Sequence, residues 1–401
     1  MARVFLVSGG VMLIVSILIR YIFGETILTL FGFNGVIGSA DAGGAPPIYH
    51  DIDGSSVVRF QGVLEGPNQM AFFLIVYMAT YATALMRFAR YRVINTVVLI
   101  LLLFLFLETY SRSAYIGIVV GAFVTMGASL VALLKSDKYL DILKSLLKKI
   151  LLPGIILVVI FLGVLFQFRG QFYDIFNRHG STSGHYERMM IGLTRFASHP
   201  LGSGLGQAGP ASRGIDDVND KSIEFDTIKS LPLKSLAEEL KSKNPDFYFT
   251  KSNYYIPESW YVQQLVEGGI IGCLLLISIL TIILFRLKKN VYFFGAFVAV
   301  MLMNIFLHSF ESVHTTLAFF LLLAGLLPVQ AKKIQLTQIL KYTFSVFLFL
   351  LPWHALLITT IQCKFHIDPT FIRFWKEFFV GIFFLITSAI VLFRDGKNVF
   401  V

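Results

Sequence analysis

The chain has 401 residues, 56% of them hydrophobic and only 14% charged, with a formal net charge of +10. A water-soluble domain cannot cover that much apolar surface, so the composition points to a polytopic membrane protein. The excess Lys and Arg falls in loops between apolar runs, which marks membrane topology and argues against nucleic-acid binding.

The apolar runs predict about ten transmembrane helices, at residues 4–23, 69–88, 93–110, 113–134, 149–167, 260–285, 290–309, 314–331, 338–361 and 372–393. Backbone groups in a bilayer must be satisfied within the segment, so the expected fold is all-α, a membrane helix bundle. The first run is flanked by Arg20 and Glu25 and lacks a nearby small-residue cleavage site, so it reads as a span rather than a leader. Cys273 and Cys363 sit in or near helices and suggest no disulfide framework. Basic clusters at Arg87, Arg90 and Arg92, at Lys135 to Lys149, at Arg286 to Lys289, at Lys332, Lys333 and Lys341, and at Arg394 and Lys397 alternate with outer loops. With Arg3 they fall on one side, which predicts cytoplasmic termini and an extracytoplasmic insert. The expected organisation is transmembrane helices 1–5 in residues 1–167, a large outer loop in 168–259, and helices 6–10 in 260–401. Almost no charge is expected within the spans, and Glu108 lies near an outer end. That scarcity disfavours an ion-coupled transporter.

Within the insert, Ser183 to His199 reads as an amphipathic helix. At ~100° per residue, His185, Arg188, Gly192, Arg195 and His199 share an arc of roughly 80°, and Tyr186, Met189, Met190, Leu193, Phe196 and Ala197 another of about 120°. Such a helix lies on the membrane or on the bundle. Its basic stripe is either a surface attracted to lipid headgroups or an anion site, since Arg offers planar bidentate donors to phosphate. Next comes a glycine-rich run, Pro200 to Gly209. Its Gly204, Gly206 and Gly209 match a dinucleotide fingerprint, but without the surrounding βαβ unit. It is read as a turn that offers backbone N–H groups to an anion or returns the chain to the bundle. Asp216, Asp217, Asp220, Glu224 and Asp226 form a solvated acidic patch without metal-ligand spacing. Leu233, Leu236 and Leu240 suggest a second short helix after Pro232. Pro257 suits a first helical position, which places Glu258 in the first turn of the next span, either complementing the helix dipole or acting as a general base. His308, Glu311 and His314 fall at another outer turn, where capping and hydrogen bonding fit better than metal ligation.

Four stretches together resemble the O-antigen ligase and O-antigen polymerase superfamily of integral membrane glycosyltransferases. They are Arg59-Phe60-Gln61-Gly62 followed by Gly66-Pro67-Asn68; Tyr110-Ser111-Arg112-Ser113-Ala114; Gly180-Ser181-Thr182 with His185 through Arg188 and Pro200 to Gly209; and Glu258-Ser259, nine residues, then Gly269-Ile270-Ile271-Gly272. The resemblance covers about residues 55–330. It implies a polyprenyl-diphosphate-linked oligosaccharide as donor, a glycan or lipid acceptor, no cofactor or metal, and inverting transfer to an acceptor hydroxyl. On that basis Arg188 and Glu258 are the expected catalytic residues, with Arg112, Arg195, His185 and Arg59 binding the diphosphate or glycan. Two departures stand out. Ligases typically carry histidine where this chain has Glu258, which shifts weight toward polymerase-like activity. One span, rather than several, precedes the Arg59 stretch, while Leu351-Pro352-Trp353-His354 and Trp375-Lys376-Glu377 look like the family's opening helices. The alternatives are a transporter of a lipid-linked glycan and a non-catalytic partner in envelope assembly.

Overall fold

A computed structural model describes residues 2–35, 45–52, 57–85, 91–134, 179–209, 231–243, 254–288, 290–326 and 345–365. Expectations for spans 149–167 and 372–393, for the acidic patch, and for the basic groups at residues 87–90 and 135–149 lie outside them. Among the described residues the chain is helical, with isolated bridges in place of strands. Four helices are long and apolar enough to cross a membrane: Ala2–Phe23, Arg112–Val131, Trp260–Leu287 and Ser345–Lys364. Val93–Leu107 and Val291–Met303 are apolar but shorter. Large apolar side chains such as Phe123, Met126, Leu274, Leu275 and Ile279 stand exposed on these helices. In water they would form an aggregation-prone patch; in a bilayer they meet lipid.

The chain divides into two compact units. The first comprises Met1–His50, Gln61–Gly66 and Gln330–Val401. Its helix α1 (Ala2–Leu18) runs into a π-helical turn, Ile19–Phe23, and ends at Gly24. Ser8 Oγ donates to the Phe349 carbonyl and accepts from Trp353 Nε1 at 3.2 Å, joining α1 to the carboxyl-terminal helix. Gln61, buried, donates to the Pro47 carbonyl at 2.8 Å while its Oε1 lies 2.6 Å from His50 Nδ1. Gln61 of the Arg59 stretch thus serves as a loop tie.

The second unit, Asp51–Phe60 and Pro67–Val329, carries the remaining helices. They are α2 (Pro67–Leu85), α3 (Arg92–Leu107), α4 (Arg112–Leu134), α5 (His179–Ser198), α6 (Leu231–Lys243), α7 (Trp260–Leu287), α8 (Val291–Met303) and α9 (Val313–Leu326). Pro67 opens α2, where its missing N–H costs nothing. The tightest packing is α4 against α8. A Cβ on Gly117 would lie 2.5 Å from the Ala299 carbonyl oxygen, and one on Gly121 would clash with that of Gly295. Spaced small residues let two backbones approach, which is how helices associate where no hydrophobic effect separates them from lipid. Thr125 Oγ1 adds polar contacts at 2.8 Å to the Gly121 carbonyl and 3.2 Å to that of Val291.

Helix α5 packs on protein, resolving its two expected placements. Ile191 joins Leu233, Ala237 and Leu240 of α6 in one cluster. Met189, Leu193 and Phe196 pack on Ala208, Val262 and Val266.

Candidate functional site

The polar stripe of α5 faces the short segment that leads into α7. Its helix begins at Trp260 with Ser259 as N-cap, and no acidic residue lies in its first turn. The expectation that Pro257 opens the helix, with Glu258 on its dipole, is therefore corrected. Glu258 instead stands just outside in the left-handed region, at φ 51°. A non-glycine residue pays on the order of 1–3 kcal/mol for such a backbone, which the surrounding structure must over-determine. Two anchors do so. The Trp260 N–H donates to the carbonyls of Asn304 at 3.1 Å and Leu307 at 3.3 Å, and Pro257 packs on Gly192, where an added Cβ would lie 2.6 Å away. Gly192 is thus the gap in the stripe that admits the segment.

Held this way, the Glu258 carboxylate meets α5. Arg188 Nη1 donates to its Oε1, and His185 Nδ1 lies 3.1 Å from its Oε2. Burial pushes this carboxyl up, but His185 and then Arg188 outweigh that effect and hold it below its ordinary value. It is therefore ionised at neutral pH.

Glu258 and His185 line a cavity of ≈ 460 Å³, together with Arg59, Asn68, Tyr110, Ser111 and Arg112, and Arg188 adjoins it through its bond to Glu258. Apolar side chains, among them Ile116, Met189, Phe306 and Leu307, complete the wall. That volume falls within the usual range for small-ligand sites. Two arginines and one carboxylate stand on the wall, and Arg188 meets that carboxylate, so the cavity favours an anion. Arg59 Nε donates to the Thr109 carbonyl at 3.0 Å, and its Nη2 reaches Asn68 Oδ1 at 3.1 Å and the Tyr110 carbonyl at 3.3 Å. These bonds clamp the turn between α3 and α4, whose Tyr110 is the chain's other described non-glycine residue at positive φ (49°). The clamp presents Arg112 at the start of α4. Both left-handed side chains thus border the same cavity, where backbone strain commonly accompanies function.

Arg195 is placed elsewhere. It is 6% exposed, its Nη1 donates to the Tyr254 carbonyl at 2.8 Å and its Nη2 to that of Gln207 at 2.9 Å. Its guanidinium lies 4.1 Å over the Tyr254 ring. It is not on the cavity wall, and its geometry is that of an internal strut. Of the expected site residues, Glu258, His185, Arg59 and Arg112 line the cavity, Arg188 reaches it through its bond to Glu258, and Arg195 stands apart.

The glycine-rich run also resolves. Gly202, Gly204, Gly206 and Gly209 all have positive φ. Gly206 and Ala208 N–H groups bond Glu267 Oε1 at 2.8 and 3.2 Å, and those of Ser203 and Gly204 bond the Val266 and Glu267 carbonyls. The anion in this nest is a side chain of the protein itself. The run is a tight return against α7, which kinks at Gly269 (φ 62°), where an added Cβ would strike the Leu201 backbone. Glu267, 8% exposed within α7, went unnoticed among the apolar residues of its span. The signal was its position beside Gly268-Gly269.

His308, read as an outer-turn residue, proves to be wired to α7. Its Nδ1 lies 2.7 Å from Gln263 Oε1, and Gln263 Nε2 donates to the Ala208 carbonyl at 3.3 Å. The amide orientation makes Nδ1 the donor and leaves Nε2 buried without a hydrogen-bond partner among the described residues. Burial pushes this imidazole down to about 4.

Fold and site together define a helical membrane protein with a cationic, partly apolar cavity. Residues 97–277 match the O-antigen ligase family. That match bears out the resemblance to the O-antigen ligase/polymerase-like superfamily and indicates an O-antigen ligase-like membrane enzyme. Searches of curated proteins and of solved structures found no match.

Proposed function

We propose that the chain is a glycosyltransferase of the bacterial inner membrane. It moves a glycan from a polyprenyl-diphosphate carrier to a hydroxyl of a growing glycan or a lipid acceptor, with inversion at the anomeric carbon. The observation that carries this reading is one cavity lined by Arg112, Arg59 and the Glu258 carboxylate, with Arg188 bonded to that carboxylate.

The chemistry asks for stabilisation of a departing diphosphate, whose charge grows in the transition state. Arg188 and Arg112 supply it, because a guanidinium fork matches phosphate oxygens bidentately. With Arg59 and Arg112 on the wall and Arg188 on Glu258, this reading has the leaving charge met without a metal. Ile116, Met189, Phe306 and Leu307 offer an apolar path for the first prenyl units. His185 and Glu258 mark the side on which the acceptor hydroxyl loses its proton. Arg195 serves this site indirectly, by holding α5 to the Tyr254–Val262 segment. The basic loops support cytoplasmic termini, about ten spans and an outward-facing insert at residues 168–259.

The test is purified protein in a bilayer mimic with a polyprenyl-diphosphate oligosaccharide, read out by glycan length. A ladder of products identifies a polymerase, and a single transfer to a lipid acceptor a ligase. Absence of any new glycosidic bond contradicts the proposal.

A further inference from the structure

Glu258 is poorly suited to take a proton itself. Arg188 holds one carboxylate oxygen and His185 Nδ1 sits 3.1 Å from the other. The carboxyl is also held below its ordinary value, which weakens it as a base.

The imidazole beside it has the complementary geometry. His185 Nδ1 is buried, yet the side chain keeps 35% exposure and lines the cavity. With Nδ1 buried, that exposure comes from the rest of the side chain, and Nε2 is not among the buried atoms left without a partner. A carboxylate beside Nδ1 favours the tautomer protonated there and leaves the Nε2 lone pair to the cavity. The ring is not aligned for a hydrogen bond to Oε2, an arrangement that tightens once the ring gains positive charge, as catalytic contacts do on going from apo to reacting states. Three residues along α5, Arg188 meets the same carboxylate. One carboxylate thus orients both a cation for the leaving group and a base for the nucleophile.

We infer that Nε2 of His185 accepts the proton of the attacking hydroxyl, with Glu258 as the positioning residue that holds the ring through Nδ1. The inference rests on the glycosyl-transfer reading above. In the step, the acceptor oxygen bonds to the anomeric carbon, and the bond from that carbon to the diphosphate oxygen breaks. The electron pair leaves with the diphosphate, the hydroxyl proton moves to Nε2, and the imidazolium, facing Glu258, later releases the proton to water.

The experiment uses the full chain in lipid nanodiscs with a polyprenyl-diphosphate oligosaccharide, comparing single-turnover transfer and donor binding. His185→Ala is expected to bind donor and to transfer about 10²–10⁴-fold more slowly. Added imidazole should restore part of that rate in proportion to its concentration. His185→Gln, which fills the same space, should show the same loss should the alanine protein fail to fold. Glu258→Gln should also be slow, without recovery in imidazole, whereas Glu258→Asp should regain part of the rate. Transfer by a folded His185 variant within a few-fold of the wild type overturns the assignment and leaves the glycosyl-transfer reading standing. So does a donor-binding His185→Ala protein that imidazole fails to restore. A wild-type protein that forms no glycosidic bond overturns both.

Discussion

Arg188 and Arg195 lie two turns apart on one stripe of α5 and finish in opposite circumstances. Arg188 keeps 31% side-chain exposure and meets a carboxylate that itself lines the cavity. Arg195 is buried, donates to two carbonyls and lies over two tyrosine rings. Helical periodicity places both on the same face; only the path of the Tyr254–Val262 segment separates their roles. A guanidinium whose donors already have fixed backbone acceptors is structure, and one beside a cavity remains able to meet a substrate anion.

The largest expected effect breaks this comparison at its functional end. Arg188→Ala or Arg188→Lys should lower single-turnover transfer by about 10²–10³-fold, since Lys lacks the planar fork. Arg195→Met should instead leave transfer per folded molecule within a few-fold of the wild type. Its cost falls on stability, on the order of 3 kcal/mol, because two buried carbonyls lose their donor, and thermal unfolding in detergent measures it. Gly269→Ala probes the other support of the same segment. It forces a Cβ into the Leu201 backbone at a left-handed position, so a loss of about 3 kcal/mol or more, or failure to express, is expected. At the milder end, Glu267→Ala strips the glycine-rich turn of its acceptor and should cost about 1–3 kcal/mol, while Glu267→Gln, keeping an oxygen there, should cost less.

The smallest effect is one of pH. His308 is pushed from 6.5 to about 4 by burial, so in that interval the unfolded chain binds a proton that the folded chain refuses. Stability is therefore complete above pH 6.5 and declines as pH falls toward about 4. His308→Asn, whose amide can still donate to Gln263, should flatten that slope. Glu258, with its carboxyl held low, adds a loss only at more acid pH, below 4.5.

Much of the site was legible because helical spacing and loop residues with distinctive chemistry survive in a one-dimensional reading. The expected helix Ser183–His199 is found as His179–Ser198, and the helix after Pro232 as Leu231–Lys243. The predicted span at 260–285 is found as Trp260–Leu287. His185, Glu258, Arg59 and Arg112 share one cavity and Arg188 bonds Glu258 beside it, as their common outer placement suggested. What was not legible depends on which distant backbone arrives at a face. Nothing in the spacing of Arg195 announces the carbonyls of Tyr254 and Gln207. Glu267 looked like part of an apolar span because its partners are N–H groups some sixty residues earlier in the chain. The left-handed backbone of Glu258 is imposed by contacts from Asn304, Leu307 and Gly192, so a rule for helix starts misplaced it.

The central claim is that the cavity beside the Arg188–Glu258 pair is where a lipid-linked glycan is transferred. Its most direct test is single-turnover release of polyprenyl diphosphate by purified wild-type and Arg188→Ala proteins, both shown folded by thermal unfolding. The account predicts release coupled to a new glycosidic bond in the wild type and a fall of about 10²–10³-fold in the variant. Undiminished transfer by folded Arg188→Ala protein would contradict it.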